Sequence, residues 1–223
     1  MGRWIYLSYE LDMATPAYGN GEGFTSRHKT GIEKGDSSNS SHWSFPNHLG
    51  THIDVPAHFY QSGQSLSDYP AESWIFKDIF VIELTDIKPG QIIMADEIPV
   101  KIIPSNTELL LLKTGFSQYR SDEIYWSDSP GYSPGIAEVL REQCPQLKAL
   151  GIDTISISSW ANREVGRTTH RAFLDPDRPV ILIEDMDLSY INEKTRWVQL
   201  ILGPLRIKAA NGTPCVVLGE IIP

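Results

Sequence analysis

His48-Leu49-Gly50-Thr51-His52-Ile53-Asp54-Val55-Pro56-Ala57-His58 holds three of the chain's six histidines and an aspartate within eleven residues. Imidazole and carboxylate are the donors that a borderline divalent ion such as zinc takes up. His48, His52, Asp54 and His58 all carry even numbers, so in an extended segment they share one face. The odd positions, Leu49, Thr51, Ile53, Val55 and Ala57, are apolar or β-branched and suit the buried face of a strand. A helix fits worse, because it would swing Asp54 about 200° from His52. Gly50 leaves a gap where an ion could approach the backbone, and Pro56 breaks regular pairing near Val55. An isolated buried histidine is usually a hydrogen-bonded core residue. Four polar groups on one buried face would be costly without an ion, whereas an exposed face could carry them with no ion at all.

The 223 residues suit one domain, residues 1–223, since no linker or repeat interrupts them. Hydrophobic content of 41% and charged content of 21% are those of an ordinary globular chain. A net charge of −9 argues against a nucleic-acid partner. No apolar window is long enough for a membrane span. The N-terminus enters Trp4-Ile5-Tyr6-Leu7 without the apolar core of a signal peptide, which sets a cytoplasmic expectation. Cys144 and Cys215 stand far apart with no CxxC and read as small apolar residues.

Strands are expected at 4–9, 74–84, 109–112, 150–157, 180–183, 198–202 and 215–218. Turns are expected at 15–21, 35–40 and 86–90. Leu109-Leu110-Leu111-Leu112 is an unbroken apolar run, as in a strand covered on both faces. Ser133-Pro134 reads as an N-cap with proline at the first helical position. Ile136, Val139 and Leu140 follow at helical spacing. Strands outnumber helices, and the fold class expected is α/β with mixed sheets.

Glu184 ends the strand 180–183, at the edge where ligands collect in α/β sheets. It could equally be a solvated strand end. His170, taken alone, is an ordinary polar-loop histidine, and His28 and His42 read as structural or surface residues. Asp153 suits a turn or supporting role. Tyr18, Phe59 and Tyr60 are the aromatic candidates for a substrate pocket, against the commoner role of core packing.

The run 48–58 resembles the HxGTHxDxPxH motif of the cyclase family of metal-dependent hydrolases, whose best-known member is bacterial kynurenine formamidase. All seven specified residues are present. Leu7-Ser8, Lys113-Thr114-Gly115-Phe116, Gly151-Ile152-Asp153-Thr154, His170-Arg171 and Ala210-Asn211-Gly212-Thr213-Pro214 are similar to further family landmarks, in order. The resemblance implies a swivelling β/β/α domain and a homodimer or homotetramer. It implies His48, His52 and Asp54 as ligands of a divalent metal, with Asp54 bridging to a second ion on His170 and Glu184, and His58 as the catalytic acid/base. His170 and Glu184 stand fourteen apart, two more than the family spacing, with Asp175-Pro176-Asp177-Arg178-Pro179 between them. One ion or two therefore remain open. Asp185 could substitute as a ligand, but on a strand it would face away from the side of Glu184. Zinc is the expected ion and manganese the alternative.

The implied activity is hydrolysis of a carbon–nitrogen amide bond in a small-molecule substrate by metal-activated water. An aryl formamide such as N-formylkynurenine is the leading substrate class. The alternative is opening of a cyclic amide or lactone, as in isatin hydrolase. A non-catalytic metal-binding protein is the remote alternative. His58 speaks against it, since a closed structural zinc site needs four ligands and no spare base.

Overall fold

The computed structural model describes residues 2–222. In chain order its strands are β1 (Arg3–Tyr6), β2 (Thr25–Thr30), β3 (Ser40–Ser44), β4 (His52–Asp54), β5 (Ile75–Phe76), β6 (Ile79–Glu83), β7 (Ile92–Ile93), β8 (Leu109–Lys113), β9 (Gly131–Tyr132), β10 (Ala149–Ile152), β11 (Ile181–Glu184), β12 (Arg196–Pro204) and β13 (Gly212–Ile222). The helices are α1 (Ile124–Ser127), α2 (Gly135–Gln143) and α3 (Arg163–Phe173), joined by several short 3-10 turns.

Among the described residues, the main sheet runs β5-β12-β13-β4-β11-β10-β8-β6, with β1 also on β13. Strands β6, β8, β10 and β11 are parallel to one another. The other strands of this sheet join antiparallel.

The leucine run shows why the sheet is covered twice. Leu110 and Leu112 enter a core with Leu150, Ile152 and Leu182, closed by Ile136 and Leu140 of α2 and Phe173 of α3. Leu109 and Leu111 face the other way, into a core with Ala149, Ile183, Leu200, Leu202 and Val217. Alternation along one apolar strand thus builds a helix layer on one side and a second strand layer on the other. Each fully buried leucine contributes about 1.5–3 kcal/mol relative to exposure. Strand β13 links the layers: Gly212–Pro214 pair with β4, while Leu218–Ile221 pair with β1. This is the mixed-sheet α/β architecture, with β/β/α layering, that the sequence led us to expect.

Some expected elements are cut or shifted. The strand expected at 74–84 is two, because the polar pair Lys77-Asp78 leaves the sheet and the Asp78 carbonyl accepts the amides of Glu108 and Leu109. The strand expected at 150–157 stops at Ile152, where Asp153 turns to accept the amides of Thr114 and Gly115. The strand expected at 4–9 ends at Tyr6, with Ser8 bridging Met186. The helix at Ser133-Pro134 starts one residue later, with Pro134 as its cap.

Helix α3 and the β2–β3 hairpin are among the elements that escaped the periodicity. Helix α3 buries Gly166, Thr169, His170 and Phe173. Those are helical intervals of three and four, but the stripe is small and polar, so no apolar period marks it. The β2–β3 hairpin is exposed along nearly its whole length, His28 and His42 included, and its sequence carries no alternation.

Candidate metal centre

Strand β4 lies between β11 and β13, with His52 directly opposite Glu184 and Asp54 opposite Leu182 and Gly212. His52 and Asp54 therefore share a face, while Ile53 between them fills the core. The same-face expectation holds for these two only. Gly50 takes φ +65°, which turns the chain before β4, and His58 sits on a 3-10 turn led by Pro56. His48 and His58 come back to the site through those turns, and their rings stack with centroids 4.0 Å apart. His170 reaches the site from α3 rather than from a loop.

Asp54 and Glu184 are 1% and 2% exposed, and both carboxylates lie between the same two imidazoles. His52 Nε2 is 3.5 Å from Asp54 Oδ1 and 3.3 Å from Glu184 Oε2. His170 Nε2 is 3.4 Å from Asp54 Oδ2 and 3.5 Å from Glu184 Oε1. The ring orientations are fixed from behind. His52 Nδ1 donates to the Gly50 carbonyl and His170 Nδ1 to the Gly166 carbonyl, each at 2.9 Å. Both Nε2 atoms are thereby aimed at the carboxylates, the way outer partners set a ligating imidazole. His48 Nδ1 lies 2.7 Å from Asp54 Oδ1, and its Nε2 lies 3.1 Å from Asn211 Oδ1. Asn47 donates to the same Asn211 oxygen, which fixes the amide's orientation. Glu184 Oε1 accepts the Ile157 amide at 2.7 Å and the Ser156 hydroxyl at 3.2 Å.

The charge balance is strained. Burial disfavours the charged form of His52, but its hydrogen bond to Glu184 and the charge of Asp54 override this and push it up to about 9. His170 is likewise opposed by burial and carried by Asp54 and Glu184 to about 10. For Glu184, burial and the Asp54 charge oppose ionisation, and the hydrogen bonds from His170 and His52 win, taking it down to about 2. Asp54 is held well below the usual range by His170 and His48 despite its burial. Two buried carboxylates demand positive charge, as protons on both imidazoles or as a cation in their place.

The donor set fits a metal. Each Nε2 lies 3.3–3.5 Å from one oxygen of each carboxylate, His52 from Asp54 Oδ1 and Glu184 Oε2 and His170 from the other oxygen of each, within the roughly 3.3–3.6 Å that metal bonds of about 2.0–2.2 Å set between neighbouring donors. His52, Asp54 and Glu184 form one group able to hold an ion, and His48, Asp54 and His58 form another. His58 is pushed down to about 4, first by burial and then by the neighbouring His48 and His170, so its imidazole is neutral at neutral pH.

The remaining candidates separate. Tyr18 lines a cavity of about 110 Å³ with Pro16, His48, Gly50, His52, Ile155, Ser156 and Glu184. Phe59 stacks on the His170 ring at 4.7 Å. Tyr60 turns its hydroxyl onto the Arg171 carbonyl and is not among the residues lining that cavity. The connection 174–180 between α3 and β11 keeps neither His170 nor Glu184 from the site. Asp185 leaves the strand at φ +51° and binds Arg120 and Tyr125 rather than facing the ligands. Asp153 has the supporting role expected of it.

Sequence reading missed Asn211, Ser156 and the Ile157 amide. Only the buried serines Ser156, Ser158 and Ser159 around Ile157 mark the second pair. Gly212 has a visible reason: a Cβ there would lie 2.3 Å from His48 Cε1.

The buried His/Asp/Glu cluster on this β/β/α scaffold is drawn from a strand pair and one helix and includes groups able to hold a metal ion. The Cyclase family model matches residues 5–159, and the chain belongs to that family. It is similar to kynurenine formamidase of Geobacillus thermodenitrificans, 26% identical over 96% of this chain and 95% of that protein. Cyclase-like protein 2 of Arabidopsis thaliana is 25% identical over 84% of this chain and 68% of its own. The fold matches isatin hydrolase A from Labrenzia aggregata bound to benzyl benzoate with a TM-score of 0.81, at 20% identity, over 100% of this chain and 94% of that one. A potential metal-dependent hydrolase with cyclase activity matches with a TM-score of 0.76, at 21% identity, over all of both chains.

Proposed function

We propose that this protein is a metal-dependent hydrolase that cleaves a carbon–nitrogen amide bond, with an aryl formamide such as N-formylkynurenine as its substrate class. One observation carries the reading. Asp54 and Glu184 are each clasped by the same two Nε2 atoms at donor separations that suit a divalent ion. His52, Asp54, His170 and Glu184 would hold it, with His48 presenting Nδ1 beside Asp54 while its Nε2–H is donated to Asn211. Zinc is the first choice and manganese the second; the two clusters that share Asp54 accommodate one ion or two. A bound divalent ion supplies polarisation of a carbonyl and a water acidic enough to react near neutrality.

The chain's own groups do the rest. His58, neutral because it is buried beside other imidazoles, can take a proton as general base and return it to the leaving nitrogen as the carbon–nitrogen bond breaks. The Tyr18, Pro16 and Ile155 walls exclude water from one side of the cavity. Its volume of about 110 Å³ is below the roughly 300 Å³ of a drug-sized ligand site.

A cyclic amide or lactone opener is the second reading, favoured by the full-length fold likeness to isatin hydrolase A. We further propose one domain over residues 1–223, since β8 and β10 contribute to both cores. We also propose a cytoplasmic homodimer or homotetramer. No described helix is long and apolar enough to cross a membrane.

Metal analysis of the purified protein, with a hydrolysis screen of N-formylkynurenine, isatin and simple lactones, tests the reading. Turnover of the formamide over the cyclic substrates supports the first reading and the reverse order the second. No turnover with zinc or manganese added defeats both.

A further inference from the structure

Immediately after Glu184, Asp185 adopts φ +51°, a left-handed conformation in which aspartate and asparagine are enriched among non-glycine residues. Its carboxylate is 1% exposed yet lies outside the metal cluster. Arg120 grips it from two directions, Nε to Oδ1 at 2.9 Å and one terminal nitrogen to Oδ2 at 2.7 Å. The Tyr125 hydroxyl donates to Oδ1 at 2.6 Å. The backbone of Asp185 is held as well: its amide donates to the Thr154 carbonyl at 2.9 Å, and its carbonyl accepts the Thr51 hydroxyl at 2.5 Å.

Thr51 directly precedes His52, so one hydrogen bond joins the residue before one ligand candidate to the residue after another. The Thr51 oxygen also accepts the Tyr9 amide at 3.0 Å, and the Arg120 guanidinium lies 3.9 Å over the Tyr9 ring. The contacts close a circuit: Asp185 to Arg120, Arg120 to Tyr9, Tyr9 to Thr51, and Thr51 back to Asp185. A buried ion pair is poor value as a stabiliser, because desolvation consumes most of the Coulombic gain. Its use here is geometric. The circuit fixes the two backbones that carry His52 and Glu184.

We propose that Asp185 and Arg120 are positioning residues that set the His52–Glu184 donor spacing for a divalent ion. This rests on the metal-site reading above.

The test uses the full chain with Arg120→Gln and Asp185→Asn together. The pair loses both charges but remains able to hydrogen-bond, and asparagine tolerates the left-handed backbone. Zinc and manganese affinities are measured by competition with a chromophoric chelator, alongside thermal melting of the metal-free protein. The expected result is metal-free melting close to that of the unaltered protein and ion affinity weaker by about 10–100-fold, the usual cost of losing an outer partner of a metal ligand. A purely structural role would lower melting and leave ion affinity within about threefold; that result overturns the proposal. If the double variant does not fold, Thr51→Val removes the hydroxyl that links the two backbones at nearly constant shape. Its ion affinity should fall in the same direction, and unchanged affinity overturns the proposal. If the unaltered protein binds neither ion, the metal reading itself fails and takes the clip with it. If it binds and the variants match it, only the clip fails.

Discussion

Adding a single methyl group at Gly212 should impair the centre without replacing any of its histidines or carboxylates. Gly212 pairs with Asp54 across the β4–β13 ladder, and the His48 ring occupies the space a side chain at 212 would need. A Cβ at 212 would lie 2.3 Å from His48 Cε1, 2.8 Å from His48 Nδ1 and 2.7 Å from the Ile53 carbonyl oxygen. The carbonyl belongs to β4 and cannot retreat without opening the ladder. The ring can move, but clearing the methyl group takes about 1 Å or more, given a normal carbon contact of roughly 3.5–4.0 Å. That displacement breaks the 2.7 Å contact with Asp54 and the 3.1 Å contact with Asn211. Overpacking costs about 1–3 kcal/mol, and the lost hydrogen bonds add about 0.5–1.5 kcal/mol apiece. Gly212→Ala should therefore lose about 2–6 kcal/mol in all, roughly 4–24 °C of melting temperature for a domain of this size. Turnover should drop by about 10–100-fold, because a metal site's oriented partner has moved. Thermal denaturation and steady-state hydrolysis measure the two effects. Placing the substitution in a His48→Ala background should recover part of the stability loss, since the clashing ring is gone. Melting within about 1 °C of the unaltered protein with full turnover would refute the argument that glycine is required to seat His48.

Mutating His58→Ala should reduce turnover by about 10²–10⁴-fold while metal analysis still finds the ion, as expected for an acid/base group; loss of the ion would make His58 a ligand instead. Stripping the protein with a chelator should abolish hydrolysis, and adding back zinc or manganese should restore it; undiminished activity in the metal-free protein would sink the metal reading. The metal-free protein should also show a distinctive pH dependence. His52 and His170 are raised from 6.5 to about 9 and about 10, so the stability they confer is full below pH 6.5 and is lost as pH rises through those values. Glu184 is depressed from 4.5 to about 2, so its contribution is present above pH 4.5 and lost as pH falls toward 2. Denaturant unfolding of the chelated protein should thus weaken between pH 7 and 10, and rising stability over that window would contradict the assigned charge pattern. With metal present the same imidazoles must be neutral, so ion affinity measured by chelator competition should rise with pH over that interval.

Much of the centre was legible in one local run. His52 and Asp54 are two apart, and a strand puts such residues on one face whatever the rest of the chain does. The leucine run at 109–112 likewise announced a doubly covered strand, because no exposed strand can carry apolar groups on both faces. The family motif added ligand roles for residues that spacing alone left undecided. His48 and His58 were in the right stretch but reach the site for a different reason, since Gly50 and Pro56 turn the backbone where an extended face was expected. Helix α3 was hidden because its inward stripe is glycine, threonine and histidine, chosen for close approach and polar contact rather than apolar burial.

The sequence by itself therefore determined the strand core, the pair His52 and Asp54, and the kind of ion such donors accept. Tertiary structure decided the rest. Glu184 faces His52 only because β11 pairs antiparallel with β4 in that register. His170 completes the clasp only because α3 packs closely on the 156–159 segment, where a Cβ on Gly166 would strike Ser158. Asn211 and Asp185 act on the site from residues more than a hundred positions away from His48 and Thr51. Spacing along a chain encodes only which face a side chain takes within one element. Which faces meet is set by burial and pairing across the whole fold, and that information is carried by no single stretch of residues.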